Sequence, residues 1–225
     1  MITAASNSRI KRLVQLNQKS KLRRTEDVFL AEGVKMFLEA PREQLQEVYV
    51  SESFLEKCSC REHLEEVGYE VVSDSVFSKI SDTCTPQGVL CVLKQFHYNI
   101  EEMLRDKAPL FLLLENIQDP GNLGTMLRTG EGAGVSGIIM SRDTVDLYNP
   151  KVIRSTMGSI YRVPFYYADD FAAAVHQVQQ AGVSVYAAHL RGKNSYACQD
   201  YTKGTAFLIG NEGNGLREET AELAD

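Results

Sequence analysis

Two short stretches concentrate the residues that could do chemistry. "ENIQDPGNLGTMLR", residues 115–128, follows the apolar run "FLLL" and carries Asn122 and Arg128, six positions apart. "GNEGNGLREE", residues 210–219, follows "AFLI" and carries Glu212. Glycines directly after an apolar strand let a ligand approach bare backbone amides and carbonyls. Arginine adds a planar fork of donors that can clamp a phosphate and stabilise an oxygen that is gaining negative charge. The familiar nucleotide loops do not fit. No Lys follows these glycines at Walker spacing, and no G-x-G-x-x-G opens the first turn of a strand–helix unit. Gly130, Gly132 and Gly134 in "GEGAG" sit at the far end of a helix, where they serve to end it. The serines of "STMGS" have no histidine or acid nearby in sequence, which argues against a hydrolytic nucleophile. Plainer roles stand beside each candidate: a turn or N-cap for Asn122, a surface position for Arg128, a helix cap for Glu212, half of an ion pair for Arg154.

The elements that must position these residues follow from periodicity. Ile10, Leu13, Val14 and Leu16 predict one amphipathic helix over 8–22. "VFLAEG", "LQEVYVS", "YEVVSDS" and "GVLCVLKQF" read as strands, with helices at "VKMFLEA", "SFLEKCSCREHLEEVG" and "VFSKIS". A polar connection, 97–107, separates a first domain, 1–96, from a second, 108–225. The second alternates regularly: strands at "PLFLLLE", "VSGIIMS", "YRVPFYYA", "VSVYAAHL" and "GTAFLIG" are interleaved with a turn and helix at 121–134, helices at 149–159 and 169–182 and a helix start at "GLREETAELAD". That order predicts an α/β fold, a small α/β domain followed by a parallel sheet with its ligand crevice at the carboxyl ends of the strands.

Composition narrows the class. With 44% hydrophobic residues in 225, the chain can bury real cores. Its apolar runs fall short of the roughly 20 residues that cross a bilayer, so no membrane partner and a cytoplasmic location are expected. Five scattered cysteines, Cys58, Cys60, Cys84, Cys91 and Cys198, read as reduced, unreactive thiols, and neither they nor the four dispersed histidines have metal-site spacing. No metal is expected. Net charge is −6, yet the first 25 residues carry seven cations and no acid. Arg9, Lys11, Arg12, Lys21, Arg23 and Arg24 in this arm could neutralise phosphates; a solvated helix face is the plain alternative.

"DPGNLGTMLRTGEGAG", "NPKVIRSTMGSIYRVPF" and "FLIGNEGNGL" resemble, in order and spacing, successive segments of the SpoU family of RNA ribose 2′-O-methyltransferases, in the SPOUT superfamily of knotted α/β enzymes. "SRIKRLVQL", "FLAEG" and "TPQGVL" resemble more loosely the substrate-binding domain, related to an RNA-binding ribosomal protein, that precedes many such enzymes. The resemblance implies S-adenosylmethionine as cofactor and an RNA substrate, ribosomal RNA in preference to tRNA, acted on by a homodimer. It implies catalytic roles for Asn122, Arg128 and Glu212, with Arg128 at the target ribose and phosphate. It places Ile209, Gly210 and Gly213 on the cofactor loop, His189, Leu190 and Gly192 at another cofactor-lining strand end, and Arg154, as an RNA-binding residue, on a helix bordering the active site. In the family a third motif follows, which supplies further cofactor contacts and closes the trefoil knot. The sequence stops at "EETAELAD", before that motif, so this form is expected to hold the cofactor poorly and to leave the knot unclosed. A non-catalytic RNA-binding protein of the same fold is the rival expectation. Methyl transfer to a ribose hydroxyl needs alignment of the attacking oxygen and removal of its proton. Arg128 suits positioning and electrostatics, since a guanidinium does not deprotonate in a protein, and the base is unassigned.

Overall fold

The computed structural model describes residues 1–192 and 195–225. The chain forms two compact units, Met1–Phe96 with Asp146–Tyr161, and His97–Val145 with Arg162–Asp225. The sequence expectation cuts the chain once, at 97–107. Residues 146–161 instead belong with the amino-terminal residues.

In the first unit, α1 (Ser8–Gln18) is capped by the Asn7 carboxamide oxygen, which accepts from the Arg9 amide at 2.9 Å. It buries Ile10, Leu13 and Leu16. The single helix predicted over 8–22 is a pair: Lys19 is extended (φ −119°, ψ 102°), and α2 (Ser20–Glu26) starts anew. Strands β1 (Val28–Glu32), β2 (Leu45–Ser51), β3 (Glu70–Val72) and β4 (Val89–Lys94) form a sheet in the order β1-β4-β2-β3. β4 is antiparallel to both neighbours, whereas β2 and β3 run parallel. Helix α3 (Val34–Leu38) follows β1. The helix predicted over 53–68 is also split, into α4 (Glu52–Lys57) and α5 (Arg61–Val67), because the backbone is extended at Cys58. Helix α6 (Asp74–Ile80) packs on α1 around Val76, Phe77 and Ile80. Helix α9 (Pro150–Thr156) lies against β1 with Val152, Ile153 and Thr156 buried. Cys91 is fully buried, and desolvation pushes its thiol up, which suits an inert role.

The second unit opens with a short α7 (Ile100–Met103) inside the stretch expected to be a linker. Its strands β5 (Leu110–Leu114), β6 (Gly137–Ser141), β7 (Phe165–Ala168), β8 (Ser184–Ala187) and β9 (Thr205–Ile209) are all parallel, in the order β7-β6-β5-β9-β8. Helices α8 (Pro120–Ala133), α10 (Phe171–Gln180) and α11 (Glu218–Ala221) complete it. One core packs α10 residues Ala174, Val175 and Val178 on Phe111, Leu113, Ala206 and Leu208 of the sheet. The chain steps from β5 outward to β7, and β8 and β9 fill the other side. The order therefore reverses between β5 and β9, the place where open α/β sheets form their crevice. Leu114 pairs with Ile209, so both strands end level and release their glycine-rich loops together.

Candidate active site at the ends of strands β5 and β9

The loop after β5 is shaped by its own side chains. Asn116 is left-handed (φ 54°), and its amide donates to Ser141 Oγ at 2.8 Å. Asp119 caps α8 by accepting from the Asn122 amide at 2.8 Å, with Pro120 in the first turn, where its missing N–H costs nothing. Left-handed Gly134 ends the helix. The cap is therefore Asp119, and Asn122 sits one turn inside.

The loop after β9 folds back on itself. Asn211 and Gly215 exchange backbone hydrogen bonds of 3.0 and 2.8 Å, and Asn211 Oδ1 accepts from the amides of Gly213 and Asn214 at 3.0 Å each. A Cβ on Gly210 would lie 2.2 Å from the Gly215 carbonyl carbon and 2.2 Å from the Leu216 nitrogen. These are backbone atoms, so only glycine fits there.

Glu212 joins the two loops. Its carboxylate accepts from the amides of Asp119 (3.0 Å) and Gln118 (3.1 Å), and from the carboxamides of Asn122 (3.3 Å) and Asn211 (3.3 Å). Partial desolvation pushes this carboxyl up, but the Asp119 and Gln118 amides and Asn122 outweigh it, and Glu212 lies below the usual carboxylate range. The sequence suggested a cap for the helix after Gly215; the helix terminus that Glu212 serves is that of α8. A carboxylate accepts only, so the Asn122 amino group must face Glu212 and its carbonyl oxygen must face away.

Arg128 is exposed on α8 and, among the described residues, makes no hydrogen bond or ion pair. Six helical positions put it about 9 Å along the axis from Asn122 and about a third of a turn around. Ile209 is half-buried at the end of β9, and its carbonyl accepts from the Glu115 amide at 2.9 Å. His189 and Gly192 line a groove of about 420 Å³ with Tyr186, Tyr196, Tyr201 and Phe207. Leu190 is wholly exposed and is not part of that lining.

The expected basic arm divides in the first unit. Lys11, Lys21 and Arg24 are exposed. Arg9 pairs with Glu70 at 2.9 Å, and Arg12 with Glu26 and Glu47 at 2.6 and 2.8 Å. Arg154 pairs with Asp82 at 3.0 Å, the plainer of its two roles. Arg23 is a correction: it is 3% exposed, donates to the Leu16 carbonyl at 2.7 Å and pairs with Asp146 at 2.5 Å. Its charge is consumed inside the unit and does not reach an RNA. Among the described residues no group of three or more His, Cys, Asp or Glu could hold a metal ion, and no helix is long and apolar enough to cross a membrane.

Sequence reasoning missed Glu115, Asn211 and Arg217, which organise the loops. Their signal was only adjacency to the glycines.

The SpoU rRNA Methylase family matches residues 109–225, and an MRM3-like substrate binding domain matches residues 7–91. Over 227 residues the chain is 31% identical to the 23S rRNA (guanosine(2553)-2'-O)-methyltransferase RlmP of Bacillus subtilis, covering 100% of this chain and 87% of that protein. An rRNA methyltransferase from Sinorhizobium meliloti matches with a TM-score of 0.83 at 29% identity, over 99% of this chain and 86% of that one. Its AdoMet-bound form gives a TM-score of 0.82 at 29% identity, over 99% and 85% of the two chains.

Proposed function

The chain belongs to the SpoU rRNA methylase family, and we propose that it methylates a ribose 2′-hydroxyl of large-subunit ribosomal RNA, at a guanosine, using S-adenosylmethionine. The Bacillus subtilis relative, alike over the whole of this chain, acts on such a nucleotide by its name. The observation that carries the reading is the Glu212 bridge, which holds Asn122 beside a glycine loop at the sheet's reversal point while Arg128 stays exposed and uncommitted.

The residues present fit the cofactor. Gly210 admits no side chain, the 210–215 loop offers close backbone, and the nearby groove has aromatic walls and the size of a small-molecule site. Ile209, Gly210 and Gly213 would hold it from one side, His189 and Gly192 from the other. When bound, it supplies an electrophilic methyl group on a sulfonium. Everything else falls to the chain. Asn122 Oδ1, turned away from Glu212, accepts from the ribose hydroxyl and fixes its orientation. Arg128, farther along the helix, grips an adjacent phosphate and lowers the cost of negative charge on the attacking oxygen. Lys11, Lys21 and Arg24 contribute phosphate contacts that orient the RNA without reading sequence. A cytoplasmic homodimer is the assembly that the resemblance supports.

The test is mapping 2′-O-methyl groups in ribosomal RNA from cells with and without the gene, complemented by wild type or Arg128→Ala. One ribose should lose its methyl on deletion and regain it only with wild type, while the variant keeps cofactor affinity. An unchanged methylation map would refute the function, and restoration by Arg128→Ala would remove that residue from the chemistry.

A further inference from the structure

The segment after the glycine loop is tied down by charges that the reaction does not use. Glu115, at the end of β5, is 1% exposed. It accepts from the Arg217 amide at 2.8 Å, from Arg217 Nη1 at 3.3 Å and from Thr220 Oγ1 at 2.5 Å. Arg217 Nη2 also pairs with Asp143, past the end of β6. Asp143 accepts in turn from the Ser141 hydroxyl at 2.5 Å, and Ser141 Oγ accepts from the Asn116 amide. The ring closes where Asn211 Nδ2 donates to the Asn116 carbonyl at 2.8 Å. The next residue, Glu218, pairs with Arg191 in the loop after β8.

We infer that Arg217 is a positioning residue, a clasp that holds the 210–215 loop in its cofactor-binding shape by bridging Glu115 and Asp143. The inference rests on the proposed function for what the loop binds. The loop carries Gly210, Gly213 and Gly215, so its unrestrained backbone has much entropy to lose on binding. Its anchors are β9 on one side and the Leu216–Thr220 segment on the other. An Arg fork can serve two carboxylates at once, which a lysine point charge does poorly. Without the clasp, ordering of the loop is deferred to binding and weakens it. Glu212 lies in the same loop and braces Asn122 from it, so the clasp acts on both, and cofactor at saturation, by ordering the loop, offsets its loss.

The experiment uses the complete gene product and reads two quantities. Calorimetric titration with S-adenosylmethionine should show affinity about tenfold weaker in Arg217→Ala, a loss of about 1.4 kcal/mol, with Arg217→Lys between it and wild type. Hydrogen exchange without cofactor should show the 210–215 amides exchanging faster in Arg217→Ala while the β5 and β6 amides keep their protection. Asp143→Asn, at a partly exposed position, is the second variant should Arg217→Ala unfold. Equal affinities, or unchanged loop exchange, would overturn the clasp. A wild-type protein that ignores S-adenosylmethionine would overturn the proposed function instead, and the exchange data would still decide whether Arg217 orders the loop.

Discussion

Glu212→Gln separates a brace from a base. Each carboxylate oxygen takes two donors: Oε1 accepts from the Asp119 amide and Asn122, Oε2 from the Gln118 amide and Asn211. Glutamine keeps one acceptor oxygen and turns an amino group toward the other pair. Hydrogen bonds to an ionised group are worth roughly 1.5–3 kcal/mol when shielded, but Glu212 is exposed, so a net loss of about 1–2 kcal/mol is appropriate. Paid as misplacement of Asn122, that is roughly a five- to thirtyfold fall in the transfer rate. Loss of a general base would instead cost about 10²–10⁴. The carboxyl also lies below its ordinary range, which makes it a poor base for a hydroxyl. The sign of the pH effect follows. A lowered folded-state pKa gives stabilisation that is complete above the unfolded value, about 4.3, and is lost as pH falls through the folded one. Between pH 5 and 8 the brace is therefore intact, and the ratio of variant to wild-type rates should be flat. Single-turnover methyl transfer at saturating RNA and cofactor measures it. A loss beyond about a hundredfold, or a ratio that changes across that window, would refute the brace.

Three further perturbations address other parts of the molecule. Gly210→Ala places a methyl against the Gly215 and Leu216 backbone, so the loop must shift at a cost of about 1–3 kcal/mol; calorimetry should show weakened cofactor binding, and Tm should fall by roughly 2–4 °C per kcal/mol. Arg23→Met removes the partner of Asp146 and the donor to Leu16, and should lower urea-unfolding stability by about 3 kcal/mol while the salt slope of RNA binding stays put. The combined change Lys11→Glu, Lys21→Glu and Arg24→Glu should weaken RNA binding and flatten the log–log salt dependence by roughly 2–3 if all three meet phosphates; an unchanged slope would reduce this face to solvated surface.

The type and order of the elements were legible because the apolar periods are clean. β2 begins and ends where "LQEVYVS" does, and the second sheet is parallel as the strand–helix alternation requires. The breaks at Lys19 and Cys58 were not legible, since neither carries a proline or glycine to announce it. Nor was the antiparallel placement of β4, which depends on long-range pairing. Arg23 looks like its neighbours in a list of charges, and only the packing of α2 shows that it points inward. Asn122 and Glu212 were singled out from the glycine loops, but their mutual bond spans 90 residues and has no sequence period. Glu115 and Arg217 stayed hidden for the same reason: a buried carboxylate and a fork 102 residues away make a pair only once β5 and β9 are adjacent.

The hydrogen-bonding capacity left over at the site constrains the chemistry more tightly than the residue types do. Glu212 has four donors on two oxygens, so it has little left to offer a proton. Asn122 has committed a donor and retains an acceptor. Of the three, Arg128 keeps its donors uncommitted among the described residues. An acceptor and a donor fork about 9 Å apart along one helix match a ribose hydroxyl and a phosphate of the same strand, and they match no single small anion. They also leave the proton without a protein base among these three, because the guanidinium cannot take it and the carboxylate is occupied. On the proposed function, the rate should then follow the acidity of the attacking hydroxyl, which positive charge from Arg128 would raise. Replacing Arg128 with lysine tests that division: the charge is retained and the fork lost, so both the transfer rate and RNA affinity should fall less than with alanine. Equal rates in the lysine and alanine variants would mean that the fork's geometry, and not its charge, sustains the reaction.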